Sequence, residues 1–313
     1  MTVVLVSAPF IIPVLERFRP MLEARGIEVV VPQVVEHLEE ADLLALAGTF
    51  DGTICGDDRY TDRVLEACAP RLKVICKWGT GIDSIDREAA ARLGIAVTNT
   101  PNAHTLAVSE HAIGFMLAFL RRQPWLDRAI KSGGWEKIQG RTLAESTLGV
   151  VGVGDIGKAV IRRARAFGAT ILGNDIVEIA PDFVRENALE VVGLDELLQR
   201  SDVVSLNCDL NPTSHHLIDA RALALMRPHA VLINTARGPV VDEPALIAAL
   251  QSGAIAGAGL DVFEEEPLPP DSPLLKLDNV MLSPHHASTS PEGWERIHRN
   301  TIRNLLVGLG LEQ

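Results

Sequence analysis

The sequence predicts an α/β protein built on two doubly wound parallel sheets. Three observations carry that expectation. Short apolar runs rich in β-branched residues alternate with helical patterns along nearly the whole chain, and such alternation implies parallel strands covered by helices. At 313 residues the chain has room for about two domains. A hydrophobic content of 47% against 22% charged residues supplies enough apolar surface for large cores.

The first alternation runs over residues 1–98. Strands are expected at Val3–Ser7, Ile27–Val31, Gly52–Gly56 and Leu72–Cys76, with helical patterns at Pro13–Arg25 and Glu39–Leu46 between them. Lys77-Trp-Gly-Thr-Gly-Ile-Asp83 follows the fourth strand and so falls at a carboxyl edge, where open α/β sheets bind ligands. Its glycines could aim backbone N–H groups at a carboxylate. The plainer alternative is a strand-to-helix turn.

Asn99-Thr-Pro-Asn102 breaks the pattern, and a long amphipathic stretch from about Leu106 to Arg122 is expected to connect to a second sheet. Its strands are expected at Leu148–Val153, Thr170–Asp175, Val203–Asn207, Ala230–Thr235, Ala258–Val262 and Val280–Ser283. A final helix, Pro291–Leu309, is expected to pack back on the first domain, so that the chain crosses between domains twice.

Within the second sheet, Thr147-Leu-Gly-Val-Val-Gly-Val-Gly-Asp-Ile-Gly157 reads as a strand running into a glycine-rich turn and a helix. Gly152, Gly154 and Gly157 supply G-x-G-x-x-G. The first glycine permits the tight turn, the second lets backbone approach a pyrophosphate, and the third lets helix and strand pack closely. The helix N-terminus adds free N–H groups and the positive dipole end. Asp175 stands at the tip of the next strand, where a carboxylate accepts bonds from an adenosine ribose. A carboxylate there repels a 2′-phosphate, and no Arg or Lys follows through Glu178, so NAD is expected over NADP.

The net charge of −12 argues against a nucleic-acid partner. Arg162-Arg163-Ala-Arg165 is the one basic cluster in the sequence and reads as a solvated helix face. The four cysteines, Cys55, Cys68, Cys76 and Cys208, form no C-x-x-C pair and suit a reducing, cytoplasmic compartment. No signal peptide or apolar run long enough for a bilayer is read, so no membrane partner is expected.

Three ionisable residues follow strands of the second sheet: Arg237 after Ile233-Asn-Thr-Ala, Glu266 past Leu260-Asp-Val, and His285 after Val280-Met-Leu-Ser-Pro. Hydride transfer to a 2-keto acid needs a group that grips the carboxylate, and Arg does so bidentately. It needs an acid to protonate the carbonyl oxygen, and His titrates in the useful range. It needs a carboxylate to orient that imidazole and raise its pKa. Each residue alone has a plainer reading: a helix cap for Arg237, a solvated acidic run for Glu264-Glu-Glu266, and an undecided choice between His285 and His286. His215-His216 lacks the company a metal site needs, so no metal is expected. His104 and His111 read as packing or surface residues, and Trp78, Trp125, Trp135 and Trp294 form no stacking stripe for bases.

Taken together, the chain resembles the NAD-dependent D-isomer-specific 2-hydroxyacid dehydrogenases over nearly its whole length. The resemblance rests on Gly79-Thr-Gly-Ile-Asp, Asn99-Thr-Pro-Asn, Gly152-Val-Gly-Asp-Ile-Gly, Asn234-Thr-Ala-Arg-Gly-Pro-Val-Val-Asp-Glu243, Gly259-Leu-Asp-Val-Phe-Glu-Glu-Glu-Pro267 and Ser283-Pro-His-His-Ala-Ser288. It implies a Rossmann cofactor domain, 99–286, inserted in a flavodoxin-like substrate domain, 1–98 plus 287–313. It implies Arg237, Glu266 and His285 as the catalytic set. It implies NAD contacts from Thr80, Gly152, Gly154, Asp155, Ile156, Gly157, Asp175, Cys208, Thr235, Ala236, Asp261, His285, Ala287 and Ser288. Substrate contacts are implied for Lys77, Gly79, Thr80, Gly81, Asn102 and Arg237, and the partner is a second copy in a homodimer.

Within that family the glycine loop and Asn99-Thr-Pro-Asn look most like the 3-phosphoglycerate dehydrogenases of serine biosynthesis, so D-3-phosphoglycerate is the first expectation, with glyoxylate or hydroxypyruvate close behind. Lys77 stands where those enzymes carry Arg; it can hold a phosphate as a point charge without the bidentate fork. Trp78 replaces a small residue and is expected to narrow the pocket. Asp155 replaces a basic or neutral residue beside the pyrophosphate, and its carboxylate is expected to point away or to cost some cofactor affinity. The C-terminal regulatory domain of such enzymes is expected to be missing. The rival from another class is a non-catalytic, NAD-sensing module of the corepressor kind.

Overall fold

The computed structural model describes residues 1–312. Contacts divide the chain into two compact units, one of Met1–Ala103 with Ser290 onward, the other His104–Thr289. The first unit therefore receives the end of the chain as well as its beginning.

The first unit holds five strands among the described residues: β1 (Thr2–Val6), β2 (Ile27–Val30), β3 (Gly52–Cys55), β4 (Val74–Lys77) and β5 (Ala96–Thr98). Their order is β2-β1-β3-β4-β5 and every pairing is parallel. This is the flavodoxin-like order. β5 went unread in the sequence because it has only three residues at a sheet edge, none of them buried. The expected helix Pro13–Arg25 is split into a 3₁₀ turn, Ile12–Arg17, and a short helix, Arg19–Glu23. Pro20 sits in the first turn of the second piece, where its missing N–H is harmless; inside a continuous helix it would have removed a bond. The last helix, Pro291–Gly308, buries Ile297, Ile302, Leu305 and Leu306 in one core with Val4, Val6 and Val74.

The second unit holds β6 (Thr147–Val151), β7 (Thr170–Asn174), β8 (Glu190–Val191), β9 (Val203–Leu206), β10 (Val231–Asn234), β11 (Gly257–Leu260) and β12 (Val280–Leu282). The order is β12-β11-β10-β9-β6-β7-β8, again parallel throughout. Strand order reverses beside β6, and ligands of doubly wound sheets sit at that switch point. Every residue of β9, β10 and β11 is buried, as expected of strands with helices on both faces. The unexpected β8 is an exposed two-residue edge strand. Helix Thr105–Leu120 buries Phe115, Met116 and Phe119 with Leu148 and Ile233. It stops short of Arg122, which adopts φ 57° ahead of a second helix, Gln123–Lys131. Among the described residues no helix is long and apolar enough to cross a membrane.

At the amino edge of this sheet the buried Asp202 ties three segments together. Its carboxylate accepts the Thr147 N–H at 2.8 Å, and takes the His229 ring at 2.6 Å, Arg227 at 3.1 Å and Arg141 at 3.3 Å. Burial pushes its pKa up, but the Thr147 N–H, His229 and Arg227 outweigh that and hold it below the usual carboxylate value. A depressed folded pKa adds stability that is present above the unfolded value and lost as pH falls through the folded one. Asp202→Asn should therefore cost about 2 kcal/mol at neutral pH. The gap to wild type should close below about pH 4, as read from urea midpoints across pH.

Candidate active site

The glycine turn leaves β6 at the switch point. Gly152 has φ 85°, and a Cβ there would lie 2.5 Å from the Cys208 nitrogen. A Cβ on Gly157 would lie 2.0 Å from the Gly152 oxygen, so only glycine lets helix Asp155–Ala166 close on the turn. Gly154, the N-cap of that helix, is different: a Cβ there meets no protein atom within 4 Å. The fold does not require glycine at 154, whereas a phosphate approaching the helix N-terminus would. Asp155, at the first helical position, is exposed, and Ile156 is half-buried.

The remaining carboxyl ends complete this edge. Asp175, just past β7, accepts the Val153 N–H at 2.6 Å through one oxygen and the Val177 N–H at 2.9 Å through the other. Each oxygen keeps a lone pair for a hydroxyl. Thr235 Oγ1, after β10, and Asn207 Oδ1, after β9, are buried without a hydrogen-bond partner. Buried polar atoms rarely stay unpaired, so two orphans on the cofactor edge fit a polar ligand there. Cys208 is half-buried, and burial pushes its thiol up to about 11, so it lines the edge as a neutral thiol. Ala236 is buried in a turn closed by Asn234, whose side chain accepts the Ala236 N–H at 3.0 Å and donates to the Arg237 carbonyl at 2.9 Å.

Arg237 leads out of that turn after β10, with one guanidinium nitrogen 2.8 Å from the Ala236 carbonyl. The next residue, Gly238, packs so closely on the loop after β11 that a Cβ would lie 1.8 Å from the Phe263 oxygen. The Arg237 turn and the Glu266 loop are thereby pressed together. Glu266 accepts the Phe263 N–H at 2.9 Å through Oε1, while Oε2 lies 2.8 Å from His285 Nδ1. His286 turns instead to Thr289 Oγ1, at 2.8 Å. The acidic run splits in the same way: Glu264 is 2.8 Å from His216 Nε2 and braces the Glu243 N–H, while Glu265 is exposed. Burial first, then the neighbouring Glu264, Glu265 and Glu266, pushes the Glu243 carboxyl up.

Asp261 is 1% exposed. Its carboxylate accepts Ser283 Oγ, the His286 N–H at 2.8 Å and the Ala287 N–H at 2.9 Å, while its carbonyl accepts the His285 N–H at 2.8 Å. It thus builds the turn that carries His285, at φ 48°. His111 is more than a packing residue: its Nε2 lies 3.0 Å from Ser283 Oγ, and burial lowers its pKa. His104 Nδ1 donates to the Ser288 carbonyl at 3.2 Å. Sequence reasoning gave Ser283 and Asn207 no individual role and read His111 as a packing or surface residue; only the fold gathers them.

In the first unit, β4 ends at Lys77, which is 4% exposed, with Nζ 2.7 Å from Asp57 Oδ1. Trp78 is also buried, donating its indole N–H to His298 Nδ1 at 3.0 Å. The glycine loop then leans on the segment after β5. The Gly79 carbonyl accepts the Thr100 N–H at 2.8 Å, and the Thr80 carbonyl accepts Asn99 Nδ2 at 2.5 Å. In a trans peptide the carbonyl and the following N–H point opposite ways. The N–H groups of Thr80 and Gly81 are therefore both turned away from that segment. Asn102 is exposed, at φ 59°.

Residues 113–287 match the family described as D-isomer specific 2-hydroxyacid dehydrogenase, NAD binding domain. The chain is 41% identical over 280 residues to a glyoxylate reductase of Korarchaeum cryptofilum, covering 88% of this chain and 81% of that one. It is 41% identical over 263 residues to a D-3-phosphoglycerate dehydrogenase of Methanocaldococcus jannaschii, covering 83% of this chain and 48% of that one. Among solved structures, D-lactate dehydrogenase from Aquifex aeolicus, complexed with NAD and lactic acid, is similar at TM-score 0.88 and 31% identity, over 99% of this chain and 96% of that one.

Asp175→Ala should lower the ratio of kcat/KM with NADH to kcat/KM with NADPH by about tenfold or more, since a repelled 2′-phosphate is worth at least about 1.4 kcal/mol. An unchanged ratio in steady-state assays would remove Asp175 from cofactor selection.

Proposed function

Since the chain belongs to the D-isomer specific 2-hydroxyacid dehydrogenases, NAD-dependent oxidoreductases, we propose that it reduces a small, unphosphorylated 2-keto acid such as glyoxylate or hydroxypyruvate. The observation that carries this choice is the state of Lys77. The cation that the sequence offered to a substrate phosphate is buried and already paired with Asp57. Turning it toward a phosphate would cost the buried ammonium its pairing with the half-exposed Asp57 carboxylate, 2.7 Å away. The phosphoglycerate reading keeps the support of the Methanocaldococcus relative.

NADH, when bound, supplies the hydride. His285 is assigned the proton. With Nδ1 held by Glu266 Oε2, that nitrogen carries its hydrogen toward the carboxylate, and Nε2 is the one that exchanges a proton with the substrate oxygen. Glu266, fixed by the Phe263 N–H, stabilises the imidazolium before the proton leaves. In the reverse direction Nε2 takes the proton from the hydroxyl. Arg237 is assigned the substrate carboxylate, by a two-pronged bond. In the first unit, the Thr80 and Gly81 N–H groups are assigned to an anionic oxygen of the substrate, supported by the direction their peptides take.

We also propose a homodimer formed through the second unit. Support comes from the segment after helix Gln123–Lys131, where Trp135 is 83% exposed and Ile138 is 45% exposed; large apolar side chains left in water are what a partner surface would cover. Sedimentation at the mass of a single 33.8 kDa chain would count against it.

A panel of keto acids with NADH tests the substrate. Glyoxylate or hydroxypyruvate should exceed 3-phosphohydroxypyruvate in kcat/KM by about tenfold or more, and the reverse order would return the reading to the phosphorylated substrate. His285→Gln should lower kcat by about 10²–10⁴ while NADH binding, followed by fluorescence titration, stays near wild type.

A further inference from the structure

The last helix, Pro291–Gly308, does more than cover the first sheet. Arg296, Asn300 and Asn304 follow at i, i+4 and i+8, which places them on one helix face. All three donate to the same stretch of chain. Arg296 Nη2 reaches the Ala103 carbonyl at 2.8 Å and the Asn102 carbonyl at 3.2 Å. Asn300 Nδ2 reaches Thr100 Oγ1 at 2.9 Å, and Asn304 Nδ2 reaches the Asn99 carbonyl at 3.1 Å. That stretch makes no strand pairing of its own beyond β5. Its carbonyls and one hydroxyl are held by the helix side chains.

The same stretch holds the glycine loop. Thr100 N–H and Asn99 Nδ2 take the Gly79 and Thr80 carbonyls, and Thr80 Oγ1 donates to the Thr100 carbonyl at 3.0 Å. These bonds set which way the Thr80 and Gly81 N–H groups point. We propose that Asn300 and Asn304 are positioning residues for substrate: acting through Asn99–Thr100, they aim the Thr80 and Gly81 N–H groups at the substrate anion. This rests on the assignment of those N–H groups to the substrate. The helix grips the loop from its buried side too, through His298 Nδ1 and the Trp78 indole. The loop's stem is thereby fixed, and Asn99–Thr100 sets the tilt of its tip.

The test is Asn300→Ala with Asn304→Ala in the full chain. Keto-acid KM should rise about tenfold, while kcat at saturating substrate and the Kd for NADH stay within about twofold. A helix that only stabilises the fold would instead lower Tm and leave KM unchanged, and that result overturns the proposal. If the double variant does not fold, Thr100→Val removes the acceptor of Asn300 from the other side and should raise KM in the same selective way. Gly81→Pro, which deletes one of the two N–H groups, separates the two levels. A raised KM there with none in the asparagine variants rejects the positioning role alone, whereas no change in Gly81→Pro rejects the N–H assignment and the proposal with it.

Discussion

The turn that carries His285 depends on one buried carboxylate. Asp261 is removed from water at the end of β11, which costs several kcal/mol unless its oxygens are bonded. Ser283 and the His286 and Ala287 N–H groups supply those bonds. Because donors to a carboxylate form about the strongest hydrogen bonds a neutral group can make, they fold the chain after β12 tightly around it. His285 is carried into the left-handed region, φ 48°, a conformation that costs a non-glycine residue about 1–2 kcal/mol. The turn holds that strain, and the imidazole emerges 2.8 Å from Glu266. Asp261 was expected among the cofactor contacts; what its carboxylate visibly does is place the histidine.

Much of this was legible in the sequence, for a physical reason. Parallel strands buried on both faces must be continuous apolar runs, and runs such as Val203–Leu206 and Val231–Asn234 announce themselves. Turns at carboxyl ends need glycine wherever backbone approaches backbone, as at Gly152 against Cys208. The edge strands β5 and β8 were missed because strands of three and two residues are too short to show a period. The choice between His285 and His286 was closed to pattern reading, since alternation in a tight turn is set by its hydrogen bonds, and those come from Asp261, distant in sequence.

Ion pairing is where the sequence says least. Lys77 follows a strand and precedes a glycine loop, which is where a phosphate-binding cation belongs. The side chain is nevertheless folded under, against Asp57. Residue type and position were both right for an anion site, and the partner was decided by the loop after β3, where Gly56-Asp57-Asp58 brings two carboxylates to the same edge. Ser7 Oγ and the Leu38 and Gly56 N–H groups bond Asp58, whose pKa is nonetheless pushed up by burial. Asp57 is left to meet the ammonium.

Carbonyl bonding decides the rest of the first unit in the same indirect way. A glycine loop is flexible by composition, so its N–H groups gain direction only if the opposite ends of their peptides are held. Thr100 and Asn99 hold them, and the last helix holds Thr100 and Asn99. The residues that set the aim of the loop therefore lie some two hundred positions away in the sequence. That separation explains why the motif Gly79-Thr-Gly and the final helix, though read separately, could not be connected before the chain was folded.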